Sequence, residues 1–148
     1  MSLAQQGTVE GASPLPSREP EWDSARRQVG EGVLSIIMPA HNLAGSIAAN
    51  IRHVCDLFTG ILPFELVVVD DGSTDHTAEQ IRTTAATVPS LRPVYLAHNM
   101  GKGDALRRGF AASKGTYVLL LDGDLDLPPH QVSRFFTIME QKRVDMVI

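Results

Sequence analysis

Leu119-Leu120-Leu121-Asp122-Gly123-Asp124-Leu125-Asp126-Leu127-Pro128-Pro129 constrains this chain more than any other stretch. A run apolar enough to be buried opens directly onto carboxylates at alternate positions, and a Pro-Pro pair stops it. In an extended segment side chains two apart share a face. Asp122, Asp124 and Asp126 are therefore expected on one side, just where a strand leaves the core. Three carboxylates that close disfavour one another unless a cation sits among them, and hard divalent ions take oxygen ligands. The bland alternative is an acidic turn with solvated side chains. A second acidic strand end, Asp70-Asp71, weighs against it.

The rest of the chain repeats the arrangement of strand, polar cluster and helix. Residues 33–38 read as a buried strand stopped by Pro39. Ile47, Ile51, Val54, Cys55 and Phe58 recur at helical spacing, predicting an amphipathic helix over 44–58. A second strand is expected over 64–69 and a helix over 77–87, with Ser73 or Asp75 as its N-cap. A third strand over 93–96, a helix over 103–113 and a fourth strand over 117–121 follow. Pro129 suits the first position of a helix reaching residue 141, and 144–148 read as a fifth strand. Strands apolar on both faces that alternate with helices specify an α/β fold: a Rossmann-like parallel sheet with helices on both faces. Residues 1–32, with Pro14, Pro16 and Pro20 and no periodicity, read as a flexible leader on which Trp22 is the one bulky residue able to dock. Residues 33–148 read as one domain.

Right-handed crossovers put every strand's C-terminal end on one edge of such a sheet, where ligands bind. Pro39-Ala40-His41-Asn42, Asp70-Asp71-Gly72-Ser73 and Asp122-Gly123-Asp124 each follow a strand end, so three independent clusters share a rim. Asp71, beside a glycine that lets a ligand approach the backbone, is a candidate acceptor for base N–H or ribose hydroxyls. Ser73 and Asp75 read better as turn and cap chemistry. Asn99-Met100-Gly101-Lys102-Gly103-Asp104 opens a helix with glycines and a lysine, which suits a phosphate but matches neither dinucleotide nor P-loop patterns. Arg107 and Arg108 are expected to divide between the site edge and solvent. Read as a helix–loop–helix calcium loop, the triplet would need Gly and Glu where Leu127 and Ser133 stand, so that reading fails. A metal shared between few carboxylates and ligand phosphates fits better. His53, His76, His98 and His130 show no ligand spacing and read as surface or loop residues.

Composition excludes several classes. A net charge of −4 argues against a binder of nucleic acid that works by phosphate neutralisation. The single cysteine, Cys55, allows neither an internal disulfide nor a cysteine-based zinc cluster, and reads as a small apolar helix residue. No apolar run approaches the roughly 18–20 residues that cross a bilayer, and residues 1–32 lack the apolar centre of a secretory signal. A cytoplasmic setting is the expectation.

Ser35-Ile36-Ile37-Met38-Pro39-Ala40-His41-Asn42, Val68-Val69-Asp70-Asp71-Gly72-Ser73-Thr74-Asp75, Asn99-Met100-Gly101-Lys102-Gly103 and Asp122-Gly123-Asp124 together resemble glycosyltransferase family 2. The closest flavour is the polyprenyl-phosphate (dolichyl-phosphate) mannosyl- and glucosyltransferases. The resemblance covers about 33–148 and implies a GT-A fold, a UDP- or GDP-linked sugar donor, Mg2+ or Mn2+, and inversion at the anomeric carbon. It implies that Pro39, His41 and Leu43 line the nucleotide base, that Val69 and Asp71 hold base and ribose, and that Lys102 stands near the phosphates. Asp122, Gly123 and Asp124 would be the Asp-x-Asp motif, with Asp124 the principal metal ligand and Asp126 a further one. The family usually has an aromatic where His41 stands and an acid where Leu43 or Ala44 stands. Members continue into an acceptor half that supplies the catalytic base and, for a polyprenyl phosphate, a membrane-facing surface. Residues 33–148 are thus expected to be a donor-binding part, inactive alone, with membrane contact at a cytoplasmic face only through segments after Ile148. A nucleotidyltransferase is the competing enzyme, but its early Gly-rich loop with a basic residue is absent after the first strand. A regulatory, receiver-like module is the non-catalytic competitor, and it lacks the lysine expected near a fifth strand.

Overall fold

The computed structural model describes residues 20–148. Four parallel strands form one sheet in the order β3-β2-β1-β4: β1 Leu34–Ala40, β2 Phe64–Asp70, β3 Leu91–Tyr95 and β4 Tyr117–Leu120. The crossovers are helices: α2 Ile47–Phe58 joins β1 to β2, α3 Thr77–Ala85 joins β2 to β3, and α4 Lys102–Ala112 joins β3 to β4. A 3-10 turn at Pro20–Trp22 leads into α1 Asp23–Val29, and another at Pro129–Gln131 leads into α5 Val132–Lys142. The expected α/β class and its parallel sheet are present. β1 and β2 carry no exposed residue, because both of their faces are covered.

The two faces are covered unequally. Even-numbered residues of β1 and β2 (Leu34, Ile36, Met38, Leu66, Val68) join the main core with α1, α2, α3 and α5. Odd-numbered ones face α4 alone, where Val67 and Val69 meet Ala105. Gly109 lets α4 come close: a Cβ there would lie 2.3 Å from Ile37 Cγ2 and 3.1 Å from Val69 Cγ2. On the same face, at the far end of the sheet, Glu65 is buried. Its carboxylate accepts hydrogen bonds from Ser35 Oγ and Lys114 N–H, both at 2.6 Å, and from Arg92 at 3.1 Å. Burial alone would raise its pKa, but those donors outweigh it and the carboxyl is held below its ordinary range.

Three expectations are corrected. Residues 20–32 do not belong to a flexible leader, because α1 packs on the domain; residues 1–19 lie outside the described part. Trp22, Ala25 and Val29 are all buried, and Trp22 meets Phe58 edge-to-face with ring centroids 5.5 Å apart. Arg27 and Ser24 bond Glu140 of α5, with Arg27 at 2.7 Å and Ser24 at 2.6 Å. Second, Pro39 does not stop β1 but lies within it, paired with Val69. The Ile37 carbonyl accepts from Leu121 N–H and the Ala40 carbonyl from Asp71 N–H, so Pro39 turns its nitrogen toward β4, two residues beyond Ile37, the last β1 residue paired with β4. The missing donor costs no ladder bond there. Third, 144–148 are not a strand. Arg143 ends α5 in the left-handed region at φ 52°, Val144 N–H bonds back to the Met139 carbonyl, and no described strand neighbours the segment. β-prone residues without a ladder partner do not make a strand.

Candidate functional site

The C-terminal ends of β1, β2 and β4 and the start of α4 enclose an open cleft of about 470 Å3. It lies where the strand order turns back, β4 having crossed to the other side of β1, which is where sheets of this kind hold ligands. Pro39, His41 and Leu43 form one wall; Asp71, Asn99, Gly101 and Lys102 form another; Asp122, Gly123, Asp124 and Asp126 form the third. The rim expected from sequence is therefore assembled, with one exception. Val69 does not line the cleft, because its side chain is fully buried beneath α4.

Short polar side chains tie the loop after β1 to the loop after β2. Asn42, at φ 53°, donates its N–H to Ser73 Oγ and accepts from Thr74 N–H with its amide oxygen. Leu43 N–H bonds Thr77 Oγ1 at 2.7 Å and Ala44 N–H bonds Asp75 Oδ2 at 3.1 Å. Asp75 also accepts from the Thr77 hydroxyl and N–H, and these donors lower its pKa. Asp70, buried, is closed on Ser73 by a 2.5 Å bond from the hydroxyl. Ser73 and Asp75 are turn chemistry, but neither is the N-cap of α3 expected from sequence, a position His76 takes.

Asp71 lines the cleft and also holds the loop that starts α4. It is buried, and its two carboxylate oxygens accept the backbone N–H groups of Met100 at 2.8 Å and Gly101 at 2.9 Å. These bonds tie the end of β2 to the loop that starts α4. The glycines make this approach possible. Gly72 at φ 60° lies so close under the loop that a Cβ would come 2.2 Å from the His98 carbonyl carbon, and Gly101 takes φ 90° at the helix cap. His41 joins the same assembly. Its Nδ1 lies 2.8 Å from the Asp71 carbonyl oxygen, an acceptor only, so Nδ1 carries the proton. Nε2 then accepts from the Asn99 amide at 3.1 Å and faces the cleft.

The acids after β4 all reach the cleft, but not as an extended strand. β4 ends at Leu120, Leu125 N–H bonds the Asp122 carbonyl, and Leu125 turns through φ 58°. That left-handed turn breaks the extended geometry after β4. Among the described residues no three His, Cys, Asp or Glu side chains are gathered to hold a metal, so the expected three-aspartate set is corrected to acids on a common wall. Asp122 meets the Lys102 ammonium at 2.6 Å, and Asp124 accepts only a long bond, 3.4 Å, from Asp126 N–H. Among the described residues, the Lys102 ammonium is the one cationic side chain lining the cleft, and it stands against Asp122. The donor set fits Mg2+ or Mn2+, which bind through one or two carboxylates and complete their shell with water and phosphate oxygens.

Sequence reasoning missed Asn50. It sits beside the buried Ile47–Ile51–Val54 stripe of α2 and donates to the Gly123 carbonyl at 2.8 Å, fixing the acidic turn from below. A polar residue on the shoulder of an apolar stripe was the available signal. Gly123 is needed there, since a Cβ would fall 2.7 Å from the Pro39 carbonyl oxygen. Arg107 pairs with Asp104 on α4, away from the cleft lining. His53, His76, His98 and His130 are exposed, as expected of them. No helix among the described residues is long and apolar enough to cross a membrane.

Known proteins share this architecture. The chain is 34% identical over 113 residues to an undecaprenyl-phosphate 4-deoxy-4-formamido-L-arabinose transferase of Yersinia enterocolitica, a match covering 73% of this chain and 34% of that protein. It thus spans about a third of the length of the curated relatives it matches. Glucosyl-3-phosphoglycerate synthase from Mycobacterium tuberculosis, solved with Mn2+, UDP and phosphoglyceric acid, superposes with a TM-score of 0.63 at 28% identity, over 84% of this chain and 47% of that one. A mannosyltransferase from Pyrobaculum calidifontis, solved with GDP-Man and Mn2+, shares the fold at a TM-score of 0.61 and 23% identity, over 80% and 38% of the two chains. The profile of glycosyl transferase family 2 matches residues 35–148. By sequence and by its GT-A fold, the chain belongs to glycosyltransferase family 2.

Proposed function

We propose that this chain is the donor-binding part of a metal-dependent, inverting glycosyltransferase that takes a UDP- or GDP-linked sugar and serves a polyprenyl-phosphate acceptor. The observation that carries the reading is the cleft itself, where an apolar wall, a lysine and the Asp-x-Asp turn meet at the strand ends. Pro39, Leu43 and the His41 ring offer a surface for the base. Asp71 acts through the backbone it holds, fixing Asn99, Gly101 and Lys102 along the ribose and phosphates. Asp122 and Asp124 would hold the divalent ion, with Asp126 at the rim. When bound, that ion supplies Lewis-acid stabilisation of the charge that develops on the departing diphosphate. Inversion follows from a single displacement, in which an acceptor oxygen bonds to the anomeric carbon as the bond to the diphosphate breaks. We assign no general base within residues 33–148 and place that role in the acceptor half. Relatives named for undecaprenyl phosphate support that class of acceptor, and neighbours solved with UDP or GDP-Man and Mn2+ support the donor and metal. Transfer itself is assigned to the longer protein, and membrane contact to its other segments.

Calorimetric titration with UDP and GDP, with and without Mn2+ or Mg2+, tests the reading. One nucleotide should bind in a metal-dependent manner, and Asp124→Ala should remove the metal dependence while the fold persists. Equal nucleotide affinity with and without metal would refute it.

A further inference from the structure

Lys102 is the one Lys or Arg among the described residues that lines the cleft, and it faces Asp122, Asp124 and Asp126. It begins α4, on the loop that Asp71 holds, whereas Asp122 follows β4. Their contact, Nζ to Oδ1 at 2.6 Å, therefore joins the start of α4 to the turn after β4 at the cleft. The two side chains are 61% and 46% exposed. An ion pair that open biases an equilibrium only about 1.5- to 5-fold, so it forms readily and parts readily.

We infer that the Lys102 ammonium is the built-in counter-ion of Asp122, holding that carboxylate until a divalent cation takes it and then turning to the donor's diphosphate. The inference rests on the metal-dependent reading above. An oxygen in contact with an ammonium cannot also give its full charge to a divalent ion, because the two cations repel across it. Metal binding at Asp122 therefore displaces Lys102. The lysine stem is four carbons long and rotates freely, and the other Asp side chains of that wall have the metal as their partner. An incoming diphosphate adds at least two negative charges to the cleft, and the released ammonium is the lysine or arginine there to meet them. The exchange orders events: the metal alone competes with Lys102, whereas metal and diphosphate together satisfy it.

The opposite signs of these two effects make the test. Mn2+ would be titrated alone into this chain, its free fraction read by electron paramagnetic resonance, for the wild type, Lys102→Met and Lys102→Arg. UDP or GDP, whichever the wild type binds more tightly, would then be titrated at saturating Mn2+ by calorimetry. Lys102→Met should bind Mn2+ alone about 2- to 5-fold more tightly, yet bind the nucleotide with Mn2+ several-fold more weakly. Lys102→Arg should recover most of the nucleotide affinity. If Lys102→Met leaves Mn2+ affinity unchanged or weakens it, or if both affinities fall together, the counter-ion role is overturned and the metal-dependent reading stands. If the wild type takes up no Mn2+, that reading falls and the exchange falls with it.

Discussion

Replacing Asp71 with alanine removes, at one buried position, the acceptor for two backbone N–H groups, those of Met100 and Gly101. A hydrogen bond to a charged acceptor contributes about 1.5–3 kcal/mol net. Gly101 N–H keeps a second acceptor, Asn99 Oδ1 at 2.9 Å, whereas no other acceptor meets Met100 N–H. The expected loss is therefore about 2–4 kcal/mol for Asp71→Ala, short of two full bonds. Asp71→Asn keeps one acceptor oxygen and loses the charge, so about 1–2 kcal/mol is expected. Against a total stability of roughly 5–15 kcal/mol both variants fold. Urea unfolding followed by Trp22 fluorescence gives the global figure. Amide hydrogen exchange gives the local one: Met100 N–H should exchange at least about tenfold faster in Asp71→Ala, tenfold corresponding to about 1.4 kcal/mol of opening free energy. The same pair of measurements separates a residue that positions a loop from one that reads a base. If Asp71→Asn weakens nucleotide binding while Met100 exchanges at its wild-type rate and the urea midpoint holds, the loop-holding role is refuted.

Gly123→Ala should cost about 1–3 kcal/mol in urea unfolding, the overpacking range, because its Cβ would meet the Pro39 carbonyl at 2.7 Å and Leu43 Cδ1 at 3.0 Å. The same shift of the acidic turn should weaken Mn2+ uptake. Acidification should loosen α1 from α5: hydrogen bonds from Arg27 and Ser24 hold the Glu140 carboxyl at about 2, below its ordinary 4.5. A carboxylate depressed in the folded state stabilises it above its unfolded pKa and loses that contribution as pH falls, here between about 4.5 and 2. Trp22 fluorescence against pH should show that loss in the wild type and a flatter response in Glu140→Gln.

The sequence revealed those parts of the molecule whose physics is local or periodic. β1, β2 and the helices between them were legible because strands covered on both faces must be apolar throughout, and α2 shows its buried stripe directly. The rim was legible because polar residues immediately after such strands have one edge on which to gather. What escaped depends on partners distant in the chain. α1 offers only two apolar positions, Ala25 and Val29, across seven helical residues, too few to stand out, and its order comes from packing on α5 and from Trp22, just before it, meeting Phe58. Asp71 is bonded by main-chain groups 29 and 30 residues away, and a backbone N–H carries no residue signature. Alternation predicted a shared face for Asp122, Asp124 and Asp126, but Leu125 at φ 58° breaks the extended geometry on which alternation depends. The same dependence on a neighbour separates β4, paired with β1, from residues 144–148, which have comparable β-propensity and no ladder.

The freedom left to each carboxylate divides the acids of the rim into two groups. Asp70, Asp71 and Asp75, at and after the end of β2, spend their oxygens on hydroxyls and backbone amides of neighbouring loops. With Asp70 and Asp71 buried and Asp75 exposed, they cross-link the loops after β1, β2 and β3 and so make the walls stiff. Asp122, Asp124 and Asp126, after β4, have at most an exposed lysine or one long hydrogen bond. Charges left this open are solvated and available, and a hard cation needs no more than that. Two acidic strand ends that look alike in the sequence therefore do opposite work: one consumes its charge in building the cleft, and the other keeps its charge for what enters it. The distinction predicts where substitutions act, with those after β2 changing loop order and stability first, and those after β4 changing cation affinity with the fold intact.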